Sequence, residues 1–102
     1  MLQFTDITVS IGILSGTNTA GEAYDLVCSA VVNGSSSQLQ PSFTWLNPMN
    51  NPVDPQMVNT TGSLSMLHFS PLVASDAGIY TCKATLGSVI QTTSINITVE
   101  SK

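Results

Sequence analysis

The sequence LHFSPLVASDAGIYTC, at positions 67–82, decides how this chain folds. Leu67 and Phe69 are two residues apart, as one face of a β-strand requires, and Pro71 cannot continue a hydrogen-bonded ladder. We therefore predict a strand that ends in a corner. Three residues beyond the corner share one parity, which predicts a second strand with this set facing inward: Gly78, Tyr80 and Cys82.

Seven positions of this stretch resemble, without a gap in the register, the region between strands E and F of the immunoglobulin superfamily: Leu67, Phe69, Leu72, Asp76, Gly78, Tyr80 and Cys82. Cys28 resembles the strand B cysteine of that family, and Trp45 resembles the strand C tryptophan that packs on the inter-sheet disulfide. The resemblance covers essentially the whole chain. It implies an all-β fold class, an immunoglobulin-like two-sheet antiparallel Greek-key sandwich with one inter-sheet disulfide between Cys28 and Cys82.

The same resemblance implies structural roles for a core signature: Trp45, Leu67, Asp76, Gly78 and Tyr80. Tyr80 stands where the family forms a tyrosine corner, in which the hydroxyl bonds to upstream backbone while the ring packs in the core. Asp76 departs from the family pattern, because a basic residue near strand D often pairs with it and this chain has no Arg or Lys there. We expect Asp76 to bond to backbone or to remain solvated.

Taken by themselves, the two cysteines allow either a disulfide or two free thiols. A disulfide closing so long a loop would stabilise the fold by roughly 4 kcal/mol in the chain-entropy model. The pair does not resemble a metal site, which would have closely spaced Cys or His residues. We predict no metal and no cofactor.

Length and composition restrict the classes of function. A chain of 102 residues is long enough for one two-layer core and too short for two, so 1–102 is predicted to be a single domain. Charged residues make up 8% of the chain, the net charge is −4, and the cations are Lys83 and Lys102. No basic patch is therefore expected to hold nucleic acid.

The hydropathy and the two ends of the sequence indicate whether the chain enters a membrane and whether it comes from a longer protein. No apolar run approaches the length of about 18 residues that a membrane-spanning helix needs, so we predict no direct membrane insertion by this fragment. The residues after Met1 do not resemble a signal peptide, and Met1 is interpreted as an added start codon. We expect a domain excised from a larger multidomain cell-surface protein.

Alternation of apolar residues predicts the first two strands. The first is expected over 4–13, broken at Gly12 and again near Gly16, with a switch between sheets. The second is expected over 21–32, where one parity faces the core and the other faces out.

Turn residues predict the connections between the later strands. The polar segment 33–40 is expected to be a long flexible loop, and 86–88 suits a tight hairpin turn. Between the strand containing Trp45 and the strand E region there is room for one short strand, near 56–59. This favours an intermediate or C2-like set and leaves open which sheet the short strand joins.

Three asparagines begin an Asn-x-Ser/Thr sequence, the acceptor for N-glycosylation: Asn33, Asn59 and Asn96. The alternative is ordinary polar surface, because the chain is rich in Asn, Ser and Thr. We expect Asn33 and Asn59 in or beside loops. Asn96 is expected to point out from the sheet that contains strands C, F and G.

The outward residues of strands B and E form a candidate contact face: Val27, Leu64, Met66 and His68. This face is predicted to be more apolar than the Thr-rich face of strands C, F and G, on which a glycan at Asn96 would act as a shield. Because a contiguous exposed apolar patch indicates a partner surface, we hypothesise that contacts use the B and E face or the loops. Scattered surface residues of no consequence remain the alternative.

No residue pattern indicates catalysis. His68 is the one histidine, and no nucleophile or second ligand stands at a recognisable spacing from it. The acidic residues are dispersed and form neither a calcium-binding loop nor a carboxylate pair. We predict that the domain is not an enzyme, although a parent receptor could carry a kinase domain elsewhere.

The sequence and the resemblance together predict an extracellular recognition or adhesion module of a cell-surface receptor or adhesion protein, either single-pass or secreted. Its partner would be a protein, bound homophilically or heterophilically, and a weak homodimer is one form of this. The alternative is a structural spacer repeat, extracellular or of the intracellular filament type, with no ligand of its own. A third interpretation, a soluble immune-type receptor, rests on the 33–40 loop alone.

Overall fold

The computed structural model describes residues 6–33 and 41–101. Within these ranges the chain forms seven strands: β1 Asp6–Gly16, β2 Tyr24–Asn33, β3 Ser42–Leu46, β4 Val58–Thr61, β5 Leu64–Phe69, β6 Gly78–Leu86 and β7 Val89–Ile97. Two 3-10 turns lie at Pro55–Met57 and Ala74–Asp76. The loop expected at 33–40 lies outside the described residues, apart from Asn33, which ends β2.

The strands form two antiparallel sheets, which confirms the predicted fold class. One sheet has the order β1-β2-β5-β4 and the other has the order β3-β6-β7. Cys28 in β2 and Cys82 in β6 form a disulfide between the sheets. This confirms the disulfide that the resemblance implied.

The core lies between the sheets and is filled by alternate residues of each strand. Strands β2, β5 and β6 contribute most of the buried apolar side chains: Tyr24, Leu26, Cys28, Ala30, Leu67, Phe69, Tyr80, Cys82, Ala84 and Leu86. The rings of Phe69 and Tyr80 meet edge to face with centroids 5.4 Å apart, a favourable aromatic geometry. Trp45 is 2% exposed and lies opposite Cys82 in the pairing of β3 with β6.

A hydrogen bond between side chains joins the two sheets through the core. The indole Nε1 of Trp45 donates a hydrogen bond of 2.9 Å to Oγ of Ser65, which belongs to the other sheet. Ser65 is completely buried, and its hydroxyl also shares a hydrogen bond of 2.9 Å with Thr60 in β4. The indole N–H is therefore satisfied although its ring is buried, as buried polar groups require.

The short strand β4 pairs with β5 along its whole length, with Val58 opposite Leu67 and Thr61 opposite Leu64. This places it in the four-stranded sheet, which the sequence left open. The strand starts two residues later than expected because Pro55–Met57 form a 3-10 turn, which the Asp54 carboxylate caps by accepting from the backbone N–H of Gln56.

The expected break of the first strand at Gly12 is wrong. Gly12 pairs with Val27 inside a continuous β1, and the irregularity falls between Ile13 and Ser15. A glycine weakens a strand but keeps its backbone donor and acceptor, so the ladder continues through it. Beyond the end of β1, Thr19 forms a parallel bridge with Glu100, which joins this segment to the chain that follows β7.

The corner between β5 and β6 is held by hydrogen bonds to backbone. The hydroxyl of Tyr80 donates to the carbonyl of Asp76 at 2.7 Å, the geometry of a tyrosine corner. The Asp76 carboxylate accepts from the backbone N–H of Val73 at 2.9 Å, so it bonds to backbone. Burial raises the pKa of Tyr80 to about 12, and the charge of Asp76 adds to the shift.

Candidate contact surface

The four residues predicted as a contact face lie together on the outer side of the four-stranded sheet. Val27 pairs with Met66, and the neighbouring pairs are Ser29 with Leu64 and Asp25 with His68. Because directly paired residues of adjacent strands point to the same side of a sheet, these side chains share one surface. We call it the β2–β5 face and define it by Val27, Leu64, Met66 and His68.

The apolar members of the β2–β5 face are contiguous. Val27 and Met66 are partly buried and directly opposite one another, and Leu64 lies two residues along β5 with 45% of its surface exposed. Strand β1 continues the surface with Gly12 beside Val27 and Ser10 beside Ser29. Apolar surface marks protein contact sites when it is contiguous, large and exposed.

A polar cluster closes one end of the β2–β5 face. His68 contacts Oδ1 of Asp25 through its Nδ1, and Oγ of Ser15 donates to Oδ2 of Asp25 at 2.9 Å. Burial would raise the pKa of Asp25, but the hydrogen bonds from His68 and Ser15 and the charge of His68 outweigh it and lower that pKa. The serine hydroxyl donates to the carboxylate and not to the imidazole, so the cluster lacks the serine-to-histidine contact of a catalytic triad.

Asn59 belongs to the short strand that was expected near 56–59, and it lies close to the turn that precedes this strand. Asn59 is exposed within β4 and pairs with Met66, so it borders the β2–β5 face. Asn96 is exposed in β7 opposite Ile79. The side chain of Asn33 and the rest of its acceptor sequence lie outside the described residues. A glycan acceptor therefore lies on each sheet. A glycan could shield either outer face, so shielding does not distinguish the contact face from the other face in the way that the sequence reasoning assumed.

The outer face of the three-stranded sheet is rich in Thr but also carries two exposed isoleucines. Ile79 is 56% exposed and Ile90 is 53% exposed. They lie at opposite ends of β6 and β7, separated by the rows of Thr81 and Lys83. Sequence reasoning missed Ile90, although its parity with Thr92 on β7 was a usable signal. Contiguity, more than the number of exposed apolar residues, distinguishes the β2–β5 face.

A metal site and a surface pocket are two further kinds of site to consider among the described residues. Within 6–33 and 41–101, no three His, Cys, Asp or Glu side chains lie close enough to hold a metal ion. A surface pocket of about 420 Å³ lies between the turn at 47–53 and the corner at 75–80. Two carboxylates line it, and Asp54 and Asp76 both already accept from backbone N–H groups. None of the described segments is a helix with the length and apolarity that membrane crossing needs.

Comparison with known proteins gives one family and several solved structures. The model of the immunoglobulin domain family matches residues 15–95. A chimeric titin Z1Z2 structure has a TM-score of 0.75 at 17% identity, covering 97% of this chain and 100% of that chain. The I67–I69 I-band fragment of titin has a TM-score of 0.73 at 20% identity, covering 99% of this chain and 34% of that chain.

A structure of the amphioxus IgVJ-C2 molecule has a TM-score of 0.60 at 21% identity, covering 96% of this chain and 46% of that chain. At such identities these likenesses concern the fold alone. No curated protein sequence matches the chain.

Proposed function

The chain belongs to the immunoglobulin domain family, and on that premise we propose that it is an extracellular recognition or adhesion module of a cell-surface receptor or adhesion protein, part of a longer multidomain chain. Domains of this family mediate protein contacts and are in general not enzymes. The partner is a protein, bound through the β2–β5 face. Catalysis, nucleic-acid binding and membrane insertion have no part in this function.

The observation that carries the proposal is the contiguous apolar surface of Val27, Leu64 and Met66 on the solvent side of the four-stranded sheet. Contiguous apolar surface on the solvent side of a sheet favours association. The disulfide between Cys28 and Cys82 supports an extracellular location, since disulfides persist in oxidising compartments. The acceptor sequences at Asn59 and Asn96 agree with a secreted glycoprotein, because both asparagines are exposed.

The test is binding of the domain, tetramerised on streptavidin, to a panel of cell types. Met66→Asp places a charge in the centre of the β2–β5 face and should abolish staining. Ile79→Asp places the same charge on the other sheet and should leave staining intact. Melting temperatures of both variants show whether each is folded. Equal staining by wild type and Met66→Asp, or no staining of any cell type, would contradict the proposal.

The likeness to titin domains supports a second candidate function, a structural spacer repeat without a ligand of its own. Titin is intracellular, where cysteines are normally reduced. Thiol titration of the protein purified from its native source separates the two candidates. Free thiols at Cys28 and Cys82 would favour the intracellular spacer, and an intact disulfide together with a glycan would favour the extracellular module.

A further inference from the structure

We infer that the partner on the β2–β5 face is a second copy of this chain, bound face to face about a two-fold axis. The inference rests on the proposed function, because it assumes that this face is a contact surface. The axis lies between the two faces, parallel to β2 and above Val27. In this arrangement the two β2 strands run in the same direction.

The shape of one cross-strand row makes the face self-complementary. Gly12, Val27 and Met66 lie side by side on β1, β2 and β5. Adjacent strands are about 4.8 Å apart, so Gly12 and Met66 stand at equal distances on either side of Val27. A two-fold axis above Val27 therefore places each Met66 over the Gly12 of the other copy.

Gly12 supplies the space that this contact needs. A Cβ atom added there would meet no other atom within 4 Å, so Met66 of the same chain does not fill the position. A flexible thioether side chain is suited to occupying such an open site. In the next row, Leu64 of one copy lies over Ser10 of the other, since Ser10, Ser29 and Leu64 are also neighbours across the three strands.

Charge permits a second copy on this face. The chain carries a net charge of −4, so two copies repel one another over most orientations. Among the described side chains on the outer side of the four-stranded sheet, the ionisable ones are Asp25 and His68, and these bind one another. Contact through a surface with little net charge avoids most of the repulsion.

The charge of Asp25 opposes the pairing, and so would a glycan on Asn59, which borders the face. Asp25 lies on β2 and would face the Asp25 of the other copy across the axis, two residues from Val27. Its bonds to His68 and Ser15 of its own chain offset this repulsion. The pairing is therefore expected to be weak, and to depend on the fit of Met66 against Gly12.

The decisive experiment is sedimentation equilibrium of the wild type and of Gly12→Val, over a wide concentration range and after enzymatic glycan removal. Gly12 is not in the left-handed backbone region and has open space around its Cβ position, so valine should leave the monomer folded. It should fill the space that Met66 of the other copy occupies. We expect a concentration-dependent dimer for the wild type and a dissociation constant at least about tenfold higher for Gly12→Val, a loss of about 1.4 kcal/mol.

Two further variants complete the design. Met66→Ala should weaken the dimer as Gly12→Val does, and Ile79→Asp on the opposite sheet should leave it unchanged. A wild type that stays monomeric at every concentration overturns the inference, as does a dimer indifferent to Gly12→Val. Cell staining that is still abolished by Met66→Asp would then leave the proposed function standing with a different protein partner.

Discussion

Ser65→Ala tests whether the buried hydrogen bond between Trp45 and Ser65 across the core matters for stability. The mutation removes the acceptor of the Trp45 indole N–H, which lies 2.9 Å away, while the indole ring is only 2% exposed. An unsatisfied buried donor costs about 1–3 kcal/mol, more than the net value of an ordinary hydrogen bond of about 1 kcal/mol. Thr60 loses the same partner, but it is exposed and can bond to water.

We therefore expect Ser65→Ala to lower the free energy of unfolding by about 2 kcal/mol. For a domain of this size, each kcal/mol corresponds to a fall in melting temperature of about 4–8 °C. Urea unfolding followed by far-ultraviolet circular dichroism measures the change without depending on the fluorescence of Trp45. Thr60→Val is the matched control, since it removes a hydroxyl from the same cluster and leaves the bond between Trp45 and Ser65 intact. It should cost less than about 1 kcal/mol.

A double-mutant cycle isolates the contact from the packing. In the Trp45→Phe background no indole N–H remains to be stranded, so Ser65→Ala should cost at least about 1 kcal/mol less there than in the wild type. Equal costs in the two backgrounds would refute the reasoning. A larger loss from Thr60→Val than from Ser65→Ala would refute it as well, because the hydroxyl of Thr60 and not the indole would then be the important partner.

Three other perturbations test further contacts of the fold. Gly78→Ala should destabilise the domain by about 1–3 kcal/mol, since φ is +135° and the new Cβ would lie 2.5 Å from Cγ of Pro48. A double variant with Pro48→Gly should recover only part of that loss, and an unchanged melting temperature for Gly78→Ala would contradict the prediction. The pKa of Asp25 is lowered, so the stability that its carboxylate contributes is present above its unfolded pKa and is lost as the pH falls through the lowered value. Asp25→Asn should therefore show a smaller drop in melting temperature from neutral to strongly acidic pH than the wild type, and an unchanged drop would count against the contact with His68. Because the pKa of Tyr80 is raised to about 12, the stability that its neutral phenol contributes is present below the unfolded pKa of about 10 and is lost as the pH rises toward 12. Tyr80→Phe should reduce this loss of melting temperature at alkaline pH, and an unaltered alkaline profile in thermal melts would refute the role given to Tyr80.

Much of the fold could be predicted because the alternation of apolar and polar residues in the sequence shows which side chains of a strand face the core. Alternation placed Leu26 and Cys28 inside and Val27 outside, and the structure has them so. The hairpin after Leu86 was also predicted, because Gly87 tolerates the positive φ of +60° that its turn requires. These features depend on residues close together in the chain.

The errors arose where the outcome depends on pairing between distant segments. Gly12 was expected to break its strand, but its ladder with β2 continues. Asn59 was expected at the end of a short strand whose sheet the sequence left open. It became part of the candidate surface only because β4 pairs with β5 and brings it opposite Met66.

The sequence by itself determined which side chains of each strand face the core, since a β-strand has a side-chain period of two and needs no partner to express it. It also determined where the chain must turn, through residues such as Pro71. The resemblance implied which of the main strands share a sheet, but tertiary structure alone decided the register between strands and the sheet that β4 joins, because backbone hydrogen bonds are the same for every residue type. Register is what set Gly12, Val27 and Met66 in one row and made a contact surface from them.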